Sequence, residues 1–179
     1  MSVSIIHTLR VLRPAAMVAL VVLLGLIVGF YTHAAFTPGT QPQQPIDFSH
    51  RVHAGDNEIP CQYCHVQARR SPSAGVPSVN KCMGCHLEVA TDRPQIRLLT
   101  HYWETSETIP WIKVHDLPDF VHFTHKRHVA AGIECQTCHG PVETMEVVSR
   151  EAPLKMGLCL NCHKDNDVEH GTDCWTCHK

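Results

Sequence analysis

Ten cysteines fall into five C-x-x-C-H units, and no cysteine is left over. The units are Cys61, Cys64 and His65; Cys82, Cys85 and His86; Cys135, Cys138 and His139; Cys159, Cys162 and His163; and Cys174, Cys177 and His178. A disulfide framework has no use for a histidine at a fixed place after every pair. A zinc site uses C-x-x-C pairs but does not require the adjoining histidine five times over. A thioredoxin-like redox motif occurs once, beside a βαβ pattern. The repeated unit is the attachment sequence of c-type haem. Its two thiols form thioethers with the haem vinyl groups, and the histidine becomes the proximal iron ligand. The expected cofactor is therefore five haem c groups, each with its iron.

Five irons need five further ligands unless a position stays open. Of 15 histidines, five are proximal, and His7 and His33 lie in the N-terminal region. The rest are His50, His53, His101, His115, His122, His125, His128 and His170. An internal repeat selects among them. Phe48 to His53 and Phe123 to His128 both read F-x-H-x-x-H, and each copy shortly precedes an attachment motif. The spacing predicts His50 as distal ligand for the haem at Cys61/Cys64 and His53 for that at Cys82/Cys85. It predicts His125 for Cys135/Cys138 and His128 for Cys159/Cys162. The haem at Cys174/Cys177 has no obvious histidine partner. Met156 is the candidate there, with His115 as the alternate distal ligand and His170 and Met145 as rivals. A thioether ligand would raise that haem's potential, although Met156 reads equally well as packing against porphyrin. Six-coordinate irons leave no substrate position. No nucleophile elbow or phosphate-binding glycine loop is present. The chain reads as an electron carrier and not as a catalyst.

The elements that must position these residues are short. Hydrophobic residues make up 44% of the chain and aromatics 6%, and much of the apolar content sits in one N-terminal run. The remainder is poor material for a large protein-only core, so porphyrin must fill the interior. The expected fold class is a multihaem cytochrome c with little regular secondary structure, a few short α-helices and a haem-filled core, plus one N-terminal transmembrane helix. The apolar stretch from Ala15 to Phe36 carries no Asp, Glu, Lys or Arg, and is long enough to span a bilayer of about 30 Å. Its apolar core exceeds the usual signal-peptide length, so an uncleaved anchor is expected. Arg10 and Arg13 precede it, and no Lys or Arg follows until Arg51. The positive-inside rule puts the N-terminus in the cytoplasm and the haem domain outside. The expected divisions are 1–36, cytoplasmic N-terminus and anchor; 37–46, a Pro- and Gln-rich spacer; 47–90, a two-haem module; 91–119, a linker; and 120–179, a three-haem module. Within the linker, Pro94 followed by Ile96, Leu99 and Trp103 predicts a short amphipathic helix. The formal charge of −2 would become more negative with haem propionates, and nucleic acid is not an expected partner.

The F-x-H-x-x-H pairs and close motif spacing resemble the class III multihaem cytochromes c over 46–90 and 120–179. A more specific pattern runs from Trp111-Ile112-Lys113-Val114-His115 through Leu117-Pro118-Asp119-Phe120-Val121 into the second histidine pair. It continues with Met145-Glu146-Val147-Val148 and Pro153-Leu154-Lys155-Met156-Gly157-Leu158-Cys159. With one anchor and five motifs, this resembles the pentahaem, membrane-anchored cytochrome c subunits of bacterial alternative complex III. Ser149-Arg150 departs from the pattern, where a histidine would be expected. The resemblance implies residence in the bacterial inner membrane, with the haem domain periplasmic. It implies partnership with iron–sulfur and polytopic quinol-binding subunits and with a monohaem cytochrome c subunit. Electrons from menaquinol or another quinol would pass to a soluble cytochrome c, a blue copper protein or a terminal oxidase. Three alternatives stay open. They are a stand-alone membrane-anchored quinol dehydrogenase feeding a periplasmic reductase, a nitrite or hydroxylamine enzyme with a five-coordinate haem, and a passive relay.

Overall fold

A computed structural model describes residues 2–35, 39 and 41–179, in two compact units, 1–40 and 41–179. Phe36 of the expected anchor and residues 37, 38 and 40 of the expected spacer lie outside the described residues.

The first unit is one helix, α1 (Ser2–Ala35). Its segment Ala16–His33 is long and apolar enough to cross a membrane. Met17, Leu20, Val21, Leu26, Val28 and Phe30, on all sides of this segment, are exposed. A helix that is apolar all round and bare suits a hydrocarbon surrounding.

The second unit contains α2 (Cys61–Cys64), α3 (Val79–His86), α4 (Pro94–Glu104), α5 (His125–Ala130), α6 (Gln136–His139), α7 (Met156–Asp165) and α8 (Cys174–Cys177). A π-turn (Arg51–Asp56) and a 3₁₀ turn (Val142–Thr144) complete it, and no strand occurs among the described residues. The helices are short because the sequence keeps stopping them. Gly140, in the left-handed region at φ +71°, ends α6, a conformation glycine adopts without a Cβ penalty. Pro94 opens α4, where its missing N–H costs nothing.

Four side chains, Ile46, Met83, Leu99 and Ile109, form the buried apolar cluster, with Val79, Cys82, Ile96, Tyr102 and Trp111 packed against it. This cluster seats α3 on α4. Two side-chain clasps close it: Gln44 bonds the Ile112 backbone in both directions at 2.9 Å, and Gln95 donates to Asp47 at 2.9 Å. Ala68 is the one other buried hydrophobic residue among those described. A chain of this length ordinarily buries far more, so side chains alone do not account for a stable interior.

Candidate haem sites

Each attachment motif occupies about one helical turn. Residues three apart on a helix share a face, so both thiols of a motif project together and the histidine follows directly. No two of the ten cysteines are joined in a disulfide. Among the described residues, no three His, Cys, Asp or Glu side chains converge as a zinc site requires. The cysteines therefore stand as pairs.

The histidines are arranged in facing couples. The His53 and His86 rings lie 6.1 Å apart, His125 and His139 6.2 Å, and His128 and His163 6.1 Å, centre to centre. Two imidazoles on opposite sides of one metal ion, with metal–nitrogen bonds of about 2 Å, have ring centres about 6 Å apart. His50 stands beside His65 and His53. The other ring nitrogen of most of these histidines is engaged. Nδ1 of His65 meets the Gly75 carbonyl at 2.6 Å, that of His86 meets Val89 at 3.0 Å, and that of His163 meets Gly171 at 2.6 Å. His53, His125 and His128 do the same with Ser49 (2.7 Å), Pro72 (2.8 Å) and Thr124 (2.9 Å). A carbonyl can only accept, so Nδ1 carries the proton and the Nε2 lone pair is left for a metal. Burial, and then the neighbouring histidines, push His50 and His139 down to about 4. Both are neutral at physiological pH, as an iron ligand must be. His50 Nδ1 and His115 Nε2 are buried without a hydrogen-bond partner. Open cavities adjoin two motifs, one of about 380 Å³ at Met83, His86 and Leu87 and one of about 220 Å³ at Cys64, Val76 and Lys81. Paired thiols, iron-spaced imidazoles and a thin core all fit haem c.

The comparisons with known proteins agree. Residues 31–116 match the class III cytochrome c family, and residues 121–179 match cytochrome c7 and related cytochromes c. The first span contains two attachment motifs and the second three. The chain is a multihaem cytochrome c. The cytochrome is also similar to the "Menaquinone reductase, multiheme cytochrome c subunit" of Nitratidesulfovibrio vulgaris. They are 29% identical over 167 residues, which cover 78% of this chain and 79% of that one. Haem c supplies a one-electron couple; the cytochrome's own residues attach it, ligate it and set its surroundings.

At the fifth motif the cytochrome differs. His178 Nδ1 meets the Phe120 carbonyl at 3.0 Å, and the Phe120 ring lies 5.8 Å from that of His178. The His122 backbone donates to the Cys177 carbonyl at 2.7 Å, and His122 Nε2 meets the Lys179 carbonyl at 3.2 Å. His122 and Phe120 are thus neighbours of this motif that spacing did not single out. The candidates for its distal ligand lie as follows. Met156 opens α7 and is 65% exposed. His170 is exposed and bonded to Asp173 at 2.9 Å. Met145 packs near Gly140 and Ser149. His115 stands at the third motif and not the fifth, 4.3 Å from His139 and edge-on to it. Burial and the nearby Arg150 lower its pKa. Ser149 and Arg150 are themselves buried, so the sequence departure noted there falls beside the third motif's histidine.

Proposed function

We propose that the cytochrome carries five haem c groups and is the pentahaem electron-transfer subunit of a membrane quinol:acceptor oxidoreductase of the alternative complex III type. Cys61/Cys64, Cys82/Cys85, Cys135/Cys138, Cys159/Cys162 and Cys174/Cys177 hold the haems, with His65, His86, His139, His163 and His178 proximal. His50, His53, His125 and His128 are the distal ligands of the first four, and Met156 is the proposed distal ligand of the last. Helix α1 anchors the chain in the cytoplasmic membrane with the haem region on the periplasmic side. Quinol-oxidising partners, iron–sulfur and polytopic, deliver electrons. A monohaem cytochrome c subunit and then a soluble cytochrome c, blue copper protein or terminal oxidase receive them. The observation that supports this reading most is the set of histidine couples at 6.1–6.2 Å, which suits six-coordinate irons that pass electrons without binding substrate.

A second reading is favoured by the name of the relative, a menaquinone reductase subunit. There the same haems feed electrons into the quinone pool. Purification in mild detergent, with mass spectrometry of the co-purifying chains and haem quantification, tests the shared part. Polytopic and iron–sulfur partners and five haems per chain are expected; a soluble reductase as sole partner sinks it. Menaquinol oxidation by the isolated complex, with no menaquinone reduction by low-potential donors, selects the first direction. The converse selects the second.

A further inference from the structure

The contacts between motifs do not follow the order of the chain. The second motif adjoins the first. Lys81, next to Cys82, sets its ammonium over the Tyr63 ring, 4.2 Å from the centroid. Cys64 has Lys81 and Cys85 as neighbours, and Cys82 has Cys64. The first motif adjoins the third. The loop after His65 holds the third motif's facing histidine: Pro72 O accepts from the His125 backbone at 3.0 Å and lies 2.8 Å from its Nδ1, and Ser71 O accepts from Lys126 N at 3.2 Å. Cys135 lies beside Cys61, and His139 has His65 among its neighbours. The third adjoins the fourth, because α5 carries both His125 and His128 to their partners His139 and His163. Cys138 lies beside Cys159 and Cys162. The fourth adjoins the fifth through Cys159 and Cys177.

The second motif's other flank meets protein. Met83 and Cys82 belong to the cluster with Leu99, Ile96 and Ile109. The described contacts from the second half of the chain into the first reach Ser49, Arg51, Gly55, Cys61, His65, Ser71 and Pro72, which lie in the turn that carries His50 and His53, in the first motif and in the loop after it.

We infer that the attachment motifs stand in space in the order second, first, third, fourth, fifth, so that the second and fifth haems are the terminal stations of electron flow. The only crossing between the two halves of the chain is then the hop from the first haem to the third. This inference rests on the five-haem reading. The two fail separately, because a haem count other than five removes that reading while the neighbour order of the remaining motifs can still be read.

The test is spectroscopic and uses the full-length protein in detergent. Haem is first counted by its pyridine adduct. His50→Ala, His53→Ala, His125→Ala and His128→Ala each remove one low-spin ferric resonance and so assign it. The new high-spin iron speeds the spin relaxation of its neighbours, read as a rise in the microwave power needed to saturate them. His53→Ala is expected to raise that power for one resonance, the one lost in His50→Ala. His50→Ala is expected to raise it for two, those lost in His53→Ala and His125→Ala. Enhancement of the His125-linked resonance by His53→Ala as strong as that by His50→Ala overturns the order. Should an alanine variant fail to fold, His53→Met and His50→Met keep a sixth ligand and shift one midpoint potential. The neighbours whose potentials move with it are then compared in the same way.

Discussion

Residues 46–109 hold two attachment motifs and every buried hydrophobic side chain described, Ile46, Ala68, Met83, Leu99 and Ile109. Residues 121–179 hold three motifs, and the buried side chains there are Ser149 and Arg150. The first stretch can gather around α3 and α4 with its own side chains. The second has turns, three short attachment helices and hydrogen bonds to backbone carbonyls, but no apolar centre. The same attachment chemistry therefore does two jobs. On the function proposed above, it adds redox centres to a small protein core in the first half, and in the second the cofactor supplies the core.

Removing an attachment site should expose that difference most strongly. Cys159→Ala with Cys162→Ala is expected to abolish stable accumulation, with proteolytic cuts concentrated in 121–179. Cys82→Ala with Cys85→Ala is expected to leave a folded protein one haem short. Haem staining and limited proteolysis compare the two, and equal damage would erase the distinction drawn here. Next in size, Leu99→Ala opens a cavity in the apolar cluster and should cost about 3 kcal/mol, read by chemical denaturation. An effect confined to the haems at the first two motifs would sharpen the comparison. Smaller, Gly140→Ala forces a side chain into a φ of +71° and drives its Cβ against Glu151. It should cost about 1–3 kcal/mol, and appear as faster loss of the third haem's low-spin spectrum on heating. Smallest is Arg51→Ala. Arg51 bridges Asp56 at 2.6 Å within the first half and Glu146 at 2.5 Å in the second, but all three side chains are exposed. Screened surface pairs contribute little, so the melting temperature should not move measurably.

The attachment motifs stand out in the sequence because covalent chemistry fixes their spacing, and the structure sets each pair of thiols on about one helical turn. Helix α4 was legible because Pro94 and the Ile96, Leu99, Trp103 period specify it locally, and it runs Pro94–Glu104. The neighbours of the fifth motif were not. Phe120 and His122 reach Cys177 and His178 across more than 50 positions of chain, and no local pattern encodes such a pairing. His115 shows the same limit from the other side. Proximity along the chain said nothing about which motif it would meet, and packing put it against His139. The order of the motifs was hidden for a related reason: the Pro72–His125 bond joins segments that give no sign of each other until folded.

The carbonyl grip on the proposed ligand histidines has an evolutionary side. Gly75, Val89, Gly171, Pro72, Ser49 and Thr124 each present a main-chain oxygen to an imidazole, and every amino acid has that oxygen. Selection on ligand orientation therefore acts on loop path and loop length, while side chains along those loops remain free to drift. Substitutions should accumulate there readily and insertions or deletions rarely. A lineage can lose most of its identity and keep its ligand field unchanged.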